Sequence, residues 1–320
     1  MDEEVSQATL NSLIERIARL EKEIMELRQA LFVQMPCLEQ PALRPSFCPA
    51  DTNLSEPLET KTDCWEITCL GNFHLRYAGR DLALCNSRRG QSILKYLLAS
   101  PGYAASSEML TECFWPQVDP EAGAHSLQVA VHTLRRSLRG CGPNGGDETV
   151  LFRNNRYFLN PSLSIVQDVD RFRAAYERGQ HAVNAGQSAE AKQAFEEARA
   201  LYAGDYHAGC YEEWASSRRL ALIDTRLALL SQLGPLYSQG KEWELAVSCY
   251  REILVVDCYR EDIYRQLMRC YSACGRQADV KRTYHACLKI LRRDLRLAPA
   301  PETTMLYQQL IQRTTSLDAN

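Results

Sequence analysis

The apolar residues near the start of the chain repeat every seven positions. Two interleaved sets, three residues apart, together comprise Leu10, Leu13, Ile17, Leu20, Ile24, Leu27 and Leu31. An unbroken a/d heptad with Ile at two a positions and Leu at every d position predicts a parallel two-stranded coiled coil over residues 1–34. An amphipathic helix folded back on its own domain would show the same pattern, and this alternative stays open.

The heptad pattern ends after Leu31. Residues 35–62 contain five prolines and no periodicity, which predicts an extended linker. From residue 65 the period becomes strand-like, with turn signals at Gly71–Asn72 and Ala78–Gly79, so a small antiparallel sheet is expected over 65–84.

Three helices and a hairpin follow this sheet. Helical spacing predicts a helix over Arg88–Ala99, a short second helix capped by Ser106 or Ser107, and a third helix capped by Asp119. Residues 149–153 and 156–160 read as two strands joined by a tight turn at Asn154–Asn155. Strands, three helices and a hairpin in this order predict a winged helix over residues 63–162.

Residues 163–320 are almost entirely helical in pattern. Breaks fall near Gly186, Gly240, Gly275 and Pro299–Pro301, and the local sequence around Gly240 recurs 35 residues later around Gly275. This spacing is close to the tetratricopeptide period of about 34 residues. The predicted fold is therefore mainly α with a small β part: a coiled-coil helix, a winged helix-turn-helix domain with an N-terminal antiparallel sheet, and a tetratricopeptide-like α-solenoid.

The third helix of the winged helix carries a one-sided charge pattern. Leu127, Val131, Leu134 and Leu138 form its apolar stripe, and no acidic residue occurs between His125 and Arg139. Such a face suits the major groove of DNA, although a solvated surface face would look similar. The residues predicted to face the groove or its phosphates are His125, Gln128, Val129, His132, Thr133, Arg135, Arg136 and Arg139.

Further phosphate contacts are expected around this helix. In the hairpin they are assigned to Arg153, Asn155 and Arg156, which lie in or beside the turn. Arg88 and Arg89 open the first helix, and Ser106 and Ser107 begin the second, where backbone N–H groups can meet phosphate.

Composition adds little to this picture. The net charge of −3 is divided into −5 for residues 1–62, +1 for residues 63–160 and +1 for residues 161–320, counted from the sequence. The thirteen cysteines include no CxxC pair or zinc spacing, which favours buried thiols in a reducing compartment. We expect no metal, no cofactor, no membrane span and no enzymatic activity, and a cytoplasmic, nucleoid-associated protein.

Several segments resemble the Streptomyces antibiotic regulatory protein (SARP) family. The opening ITCLGNF, the run RRGQSILKYLLASPGYAASSEMLTECFWP, the helix HSLQVAVHTLRRSLR and the hairpin RNNRYFLNP are similar to its winged-helix domain. The segments VQDVDRFRAAYERGQHAVNAGQSAEA and LAPAPETTMLYQQL are similar to the two ends of its bacterial transcriptional activator domain. The turn at Asn154–Asn155 and the N-terminal heptads depart from the usual short form.

The resemblance implies a transcriptional regulator, usually an activator, that binds promoter DNA as a homodimer and contacts RNA polymerase. By similarity to winged-helix activators, the loop from Trp115 to Gly123 is expected to touch polymerase, although Trp115 itself also fits a core position. A coiled-coil and solenoid scaffold for protein partners, with a winged helix that does not bind DNA, is the alternative function.

Overall fold

The computed structural model describes residues 64–82, 87–142, 148–210 and 212–317. The predicted coiled coil over 1–34 and linker over 35–62 lie outside the described residues. The chain divides into two compact units, one ending at Tyr250 and the other resuming at Arg251.

Strands are confined to the first half of the described chain. The strands are β1 Cys64–Thr68, β2 His74–Tyr77, β3 Arg80–Asp81, β4 Ala104–Ser106, β5 Val150–Arg153, β6 Arg156–Leu159 and β7 Ser164–Gln167. The helices are α1 Arg88–Ala99, α2 Ser107–Phe114, α3 Pro120–Ser137, α4 Asp168–Asn184, α5 Ser188–Leu201, α6 Glu213–Gln239, α7 Trp243–Val256, α8 Glu261–Ala273, α9 Gln277–Ile290 and α10 Pro301–Leu317. A π-helical turn, Leu291–Leu295, follows α9 directly.

The N-terminal sheet contains one strand, Ser164–Gln167, that lies beyond residue 162, where the sequence predicted the winged helix to end. Its order is β3-β2-β1-β7, in which the first three strands are antiparallel, as expected. β7 adds in parallel to β1, with Cys64 opposite Ser164 and Ile67 opposite Gln167. The local pattern did not predict this pairing because it joins segments about a hundred residues apart.

Helices α1, α2 and α3 form the winged-helix core with a second sheet of order β4-β6-β5. α1 buries Ile93, Leu94 and Leu97, and α3 buries Leu127 and Leu134. Apolar residues at this helical spacing all point to one side, so burying them fixes which face of α3 remains outside.

The remaining helices of the first unit pack as pairs with short turns. α4 packs against α5, and α5 packs against α6. Gly186 turns the chain between α4 and α5 with a φ of +74°, a conformation that glycine adopts readily. At the next predicted break Gly240 keeps a negative φ of −75°, and Lys241 takes the positive value of 60° instead.

The second unit is built from α8, α9 and α10, which all contact one another. Tyr264, Cys287 and Leu291 are buried together in it. The ring of Tyr284 stacks on that of Tyr307, with centroids 4.1 Å apart and planes 4° from parallel.

Candidate nucleic-acid interface

The start of α3 is fixed by its cap. The Asp119 carboxylate accepts hydrogen bonds from the backbone N–H groups of Glu121 at 3.1 Å and Ala122 at 3.5 Å, and Pro120 occupies the first turn. A Cβ atom at Gly123 would lie 2.5 Å from the Thr111 methyl carbon. The absence of a side chain at this position therefore allows α3 to cross α2 closely.

The face of α3 opposite the core is open to solvent. His125, Gln128, Val129, His132, Arg136 and Arg139 are exposed, and Thr133 is partly exposed. Val129 keeps 52% of its surface accessible, although its aliphatic side chain makes no hydrogen bond with water. An exposed aliphatic group among hydrogen-bonding side chains is suited to a thymine methyl group in the major groove.

Two of the predicted groove residues already have intramolecular partners. The Thr133 hydroxyl donates to the Val129 carbonyl at 2.9 Å, which leaves its methyl group and oxygen lone pairs for a ligand. The Arg135 Nε donates to the Val150 carbonyl at 2.8 Å. Arg135 therefore anchors the hairpin to α3, a role that the sequence pattern did not predict.

The hairpin of β5 and β6 is the wing. Its turn residues Asn154 and Asn155 have φ values of +51° and +57°, the left-handed pair that a two-residue hairpin turn needs. Arg153 and Arg156 lie directly opposite each other in the register, and both are exposed. Two like charges at adjacent strand positions repel, so an anion between them would be stabilising.

The wing turn is tied to the start of α2. The Asn155 side chain donates to Glu108 Oε1 at 3.0 Å, and the Asn155 carbonyl accepts the backbone N–H of Ser107 at 2.9 Å. Ser106 caps α2 by accepting from the N–H of Met109 at 3.1 Å. The Ser107 N–H is therefore occupied, and it is not the free phosphate donor that the sequence pattern predicted.

The two arginines at the start of α1 differ in their surroundings. Arg88 is exposed. Arg89 lies 3.7 Å from Glu212 and places its guanidinium 5.7 Å from the centre of the Trp115 ring. Arg89 is also exposed but contacts Glu212, the residue immediately before α6.

The sequence pattern did not predict that two further side chains belong to this surface. Phe152 precedes the wing turn with 50% of its surface exposed, and its ring lies 4.5 Å from that of Tyr157. Glu108 holds the wing through Asn155, as described above. Alternation along β5 would place Phe152 on the same face as the buried Val150, so no local signal marks it as exposed.

The winged helix is joined to the helices that follow it by backbone and side-chain hydrogen bonds. The His207 N–H donates to the Cys69 carbonyl at 2.7 Å, and the Gly71 N–H donates to the Asp205 carbonyl at 3.0 Å. Arg218 on α6 donates to the Ala99 carbonyl at the end of α1 at 2.8 Å. The base of the candidate interface is thus fixed to α6.

Among the described residues, no group of three His, Cys, Asp or Glu side chains is placed to hold a metal ion. Likewise, none of the described helices combines the length and apolarity needed to cross a bilayer.

Comparisons with known proteins find similar transcriptional regulators. A family model for the bacterial transcriptional activator domain matches residues 167–311. The chain is 23% identical over 252 residues to transcriptional regulatory protein MoaR1 of Mycobacterium tuberculosis, covering 78% of this chain and 79% of MoaR1. Both matches support the resemblance to SARP-type transcriptional regulators.

Two further comparisons concern a second curated relative and a solved structure. The chain is 25% identical over 233 residues to regulatory protein AfsR of Streptomyces coelicolor, covering 72% of this chain but 23% of AfsR. Its fold is similar to that of Mycobacterium tuberculosis EmbR, solved in complex with a low affinity phosphopeptide, with a TM-score of 0.63. That match is 19% identical and covers 78% of this chain and 65% of EmbR. The predicted winged helix with tetratricopeptide-like repeats is confirmed.

Proposed function

We propose that this regulator binds promoter DNA by inserting α3 into the major groove and laying the wing against the neighbouring backbone. The observation that supports this most directly is the exposed face of α3. Gln128, Val129 and His132 share it with Arg136, and no acidic residue interrupts it. Hydrogen-bonding side chains, an aliphatic group and a positive charge on one solvent-facing stripe match what base-pair edges and phosphates offer.

The roles along the stripe follow from side-chain chemistry. Gln128 carries the donor and acceptor pair that reads adenine, and Val129 and Thr133 offer methyl groups to thymine. Arg136, Arg139, Arg153 and Arg156 supply charge to phosphates, which sets position rather than sequence. In this proposal the chain acts by binding and not by catalysis.

The test is DNA binding by the full chain to a site found by footprinting on genomic fragments. We expect Gln128→Ala to cost about 1–3 kcal/mol at the preferred site and little on unrelated DNA, because it removes a base contact. Arg136→Ala should weaken binding to both DNAs and reduce the salt slope by about one. Arg269→Ala, at an exposed position of α8, serves as the arginine control.

If the Gln128 and Arg136 variants both bound like the parent, the groove assignment would be wrong. A folded protein that bound no duplex at low salt would favour the scaffold function instead.

Dimerisation through residues 1–34 is also part of the proposal, and it rests on the heptads alone. Deleting residues 1–34 should shift the sedimentation coefficient toward that of a monomer. An unchanged oligomer would show that another segment joins the copies.

Polymerase contact is proposed for the loop between α2 and α3. Residues 116–119 are exposed, and Val118 keeps 42% of its apolar surface in water. Trp115 is half-buried beside Phe114, which fits a packing role. Val118→Asp should therefore leave DNA affinity unchanged and lower transcription from a purified polymerase system. Unchanged transcription would remove this loop from the proposal.

A further inference from the structure

A second basic surface lies on the helical unit that begins at Arg251, well away in sequence from α3. Between Arg276 and Arg296 the chain contains seven lysines and arginines against two aspartates, in a protein whose overall net charge is −3. This segment is α9 with the π-helical turn after it. It is more positive than α3, so the predicted recognition helix is not the most basic helix of the molecule.

Part of this positive charge lies on one exposed face of α9. Lys281, Lys289, Arg292 and Arg296 are exposed, and His285 is exposed between the two lysines; we call this set the α9 stripe. Positions four, eight and eleven residues after Lys281 stay on one side of a helix. The buried residues Val280, Cys287 and Leu291 occupy the other side.

Both aspartates of the segment are neutralised by arginines outside the stripe. Asp279 accepts hydrogen bonds from Arg276 and Arg282, and Asp294 accepts from Arg293 at 2.5 Å. Burial would raise the pKa of Asp279, but those two arginines leave it below its usual value. The Arg293 guanidinium holds the pKa of Asp294 low in the same way.

The stripe itself has no such partner. Among the described residues, no salt bridge involves Lys281, Lys289, Arg292 or Arg296. Like charges close together along one segment repel one another, and no salt bridge among the described residues offsets that repulsion. A surface that the fold leaves positively charged in this way is suited to a polyanion.

We infer that the α9 stripe binds the phosphate backbone of duplex DNA, as a second, sequence-independent contact of the regulator. From Lys281 to Arg292 the helix runs about 17 Å, which equals the axial rise of about five base pairs. The side chains are long and charged at their tips, so they can follow a backbone without a shaped pocket. This inference rests on the proposed DNA-binding function and adds a surface to it.

An acidic protein surface is the competing partner. Leu295 and Leu297, at the end of the stripe, keep 45% and 57% of their surface exposed, and apolar contacts there would be typical of a protein. The single-sign, linear arrangement favours DNA, because protein interfaces concentrate their energy in desolvated pockets rather than along open charged lines.

The experiment measures the affinity of the full chain for a non-specific duplex over a series of salt concentrations. The double variant Lys281→Gln/Arg292→Gln should lower the slope of log K against log[salt] by about two, since each phosphate contact contributes about 0.9. The control is Lys241→Gln/Arg269→Gln, which removes the same charge from exposed positions. Its slope should match that of the parent.

The outcomes separate this inference from the proposed function. The stripe variant should lose affinity equally for specific and non-specific DNA, so the ratio between them stays at the parent value. An unchanged slope overturns the inference and leaves the α3 assignment, which depends on Gln128 and Arg136, untouched. An unchanged slope with loss of polymerase-dependent transcription also overturns it, in favour of an acidic protein partner.

Discussion

The carboxylate of Asp168 accepts a hydrogen bond from the backbone N–H of Leu70 at 2.8 Å. The same carboxylate accepts from the N–H of Cys69, again at 2.8 Å, and from that of Val169. Asp168 is the first residue of α4, whereas Leu70 follows the first strand of the winged helix. One side chain therefore joins the N-terminal sheet to the first helix of the segment that matches the bacterial transcriptional activator domain.

Removing this carboxylate should destabilise the protein. Asp168→Ala leaves the N–H groups of Cys69 and Leu70 without an acceptor, and unsatisfied buried donors cost about 1–3 kcal/mol. We expect a loss of about 2–3 kcal/mol in the free energy of unfolding, measured with denaturant. Asp170→Ala, at an exposed position of the same helical turn, should change it by less than about 0.5 kcal/mol. Equal midpoints for both variants would contradict the role given to Asp168.

Adjacent arginines on α3 should behave differently. Arg135→Ala removes the donor to the Val150 carbonyl, so we expect a loss of about 1 kcal/mol in stability and faster amide exchange in the wing. Arg136→Ala should leave both unchanged, because Arg136 is exposed. Hydrogen exchange followed by mass spectrometry distinguishes the two variants. Identical exchange in the wing would show that Arg135 does not hold it.

The close packing of α4 on α5 depends on a glycine. A Cβ atom at Gly179 would lie 2.3 Å from Cε1 of the Phe195 ring, and Phe195 is fully buried. We expect Gly179→Ala to cost about 1–3 kcal/mol because the ring cannot move aside in a packed core. The second change Phe195→Leu should recover part of this loss in a double-mutant cycle. Simple additivity of the two changes would rule out the contact as the cause.

The burial of His207 should lower the free energy of unfolding at mildly acidic pH. The His207 side chain is fully buried between the rings of Phe73, Tyr206 and Trp214, and its two ring nitrogens have no hydrogen-bond partner in the described structure. Burial lowers the pKa of His207 to about 3, and nearby Lys95 adds to the shift. The unfolded chain takes up this proton near its ordinary pKa of about 6.5.

Between these two pKa values the unfolded state holds one more proton than the folded state, so protonation favours unfolding. The free energy of unfolding should therefore decrease by about 1.4 kcal/mol for each pH unit from about 6.5 toward 3, as the contribution of this one group. His207→Asn should remove this slope, since asparagine tolerates the positive φ of 48° and does not titrate. His181→Asn, at an exposed position, should keep it. An equal slope in both variants would assign the proton to another group.

The elements that the sequence predicted correctly are those set by neighbouring residues. Asp119 caps α3, the apolar spacing selects its buried face, and Asn154–Asn155 forms the wing turn; each depends on a handful of consecutive positions. The pattern also selected the exposed face of α3, because burying one stripe exposes the other.

The features that escaped prediction depend on partners far along the chain. Asp168 binds a residue 99 positions earlier, and Arg218 binds a carbonyl 119 positions earlier. No local spacing encodes such contacts. For the same reason the sequence pattern assigns Arg135 to phosphate. A surface arginine that binds DNA and one that donates to a neighbouring carbonyl have the same sequence signature.

The parallel pairing of β1 with β7 has a consequence for how such regulators are recombined. Strand β7, which completes the first sheet, follows the wing in the sequence. A cut near residue 162 would therefore separate β7 from the sheet to which it belongs. A graft of this winged-helix module onto another effector would need to carry β7 and Asp168 with it. Exchange between regulators should therefore succeed at junctions after the first turn of α4 and fail at junctions immediately after the wing.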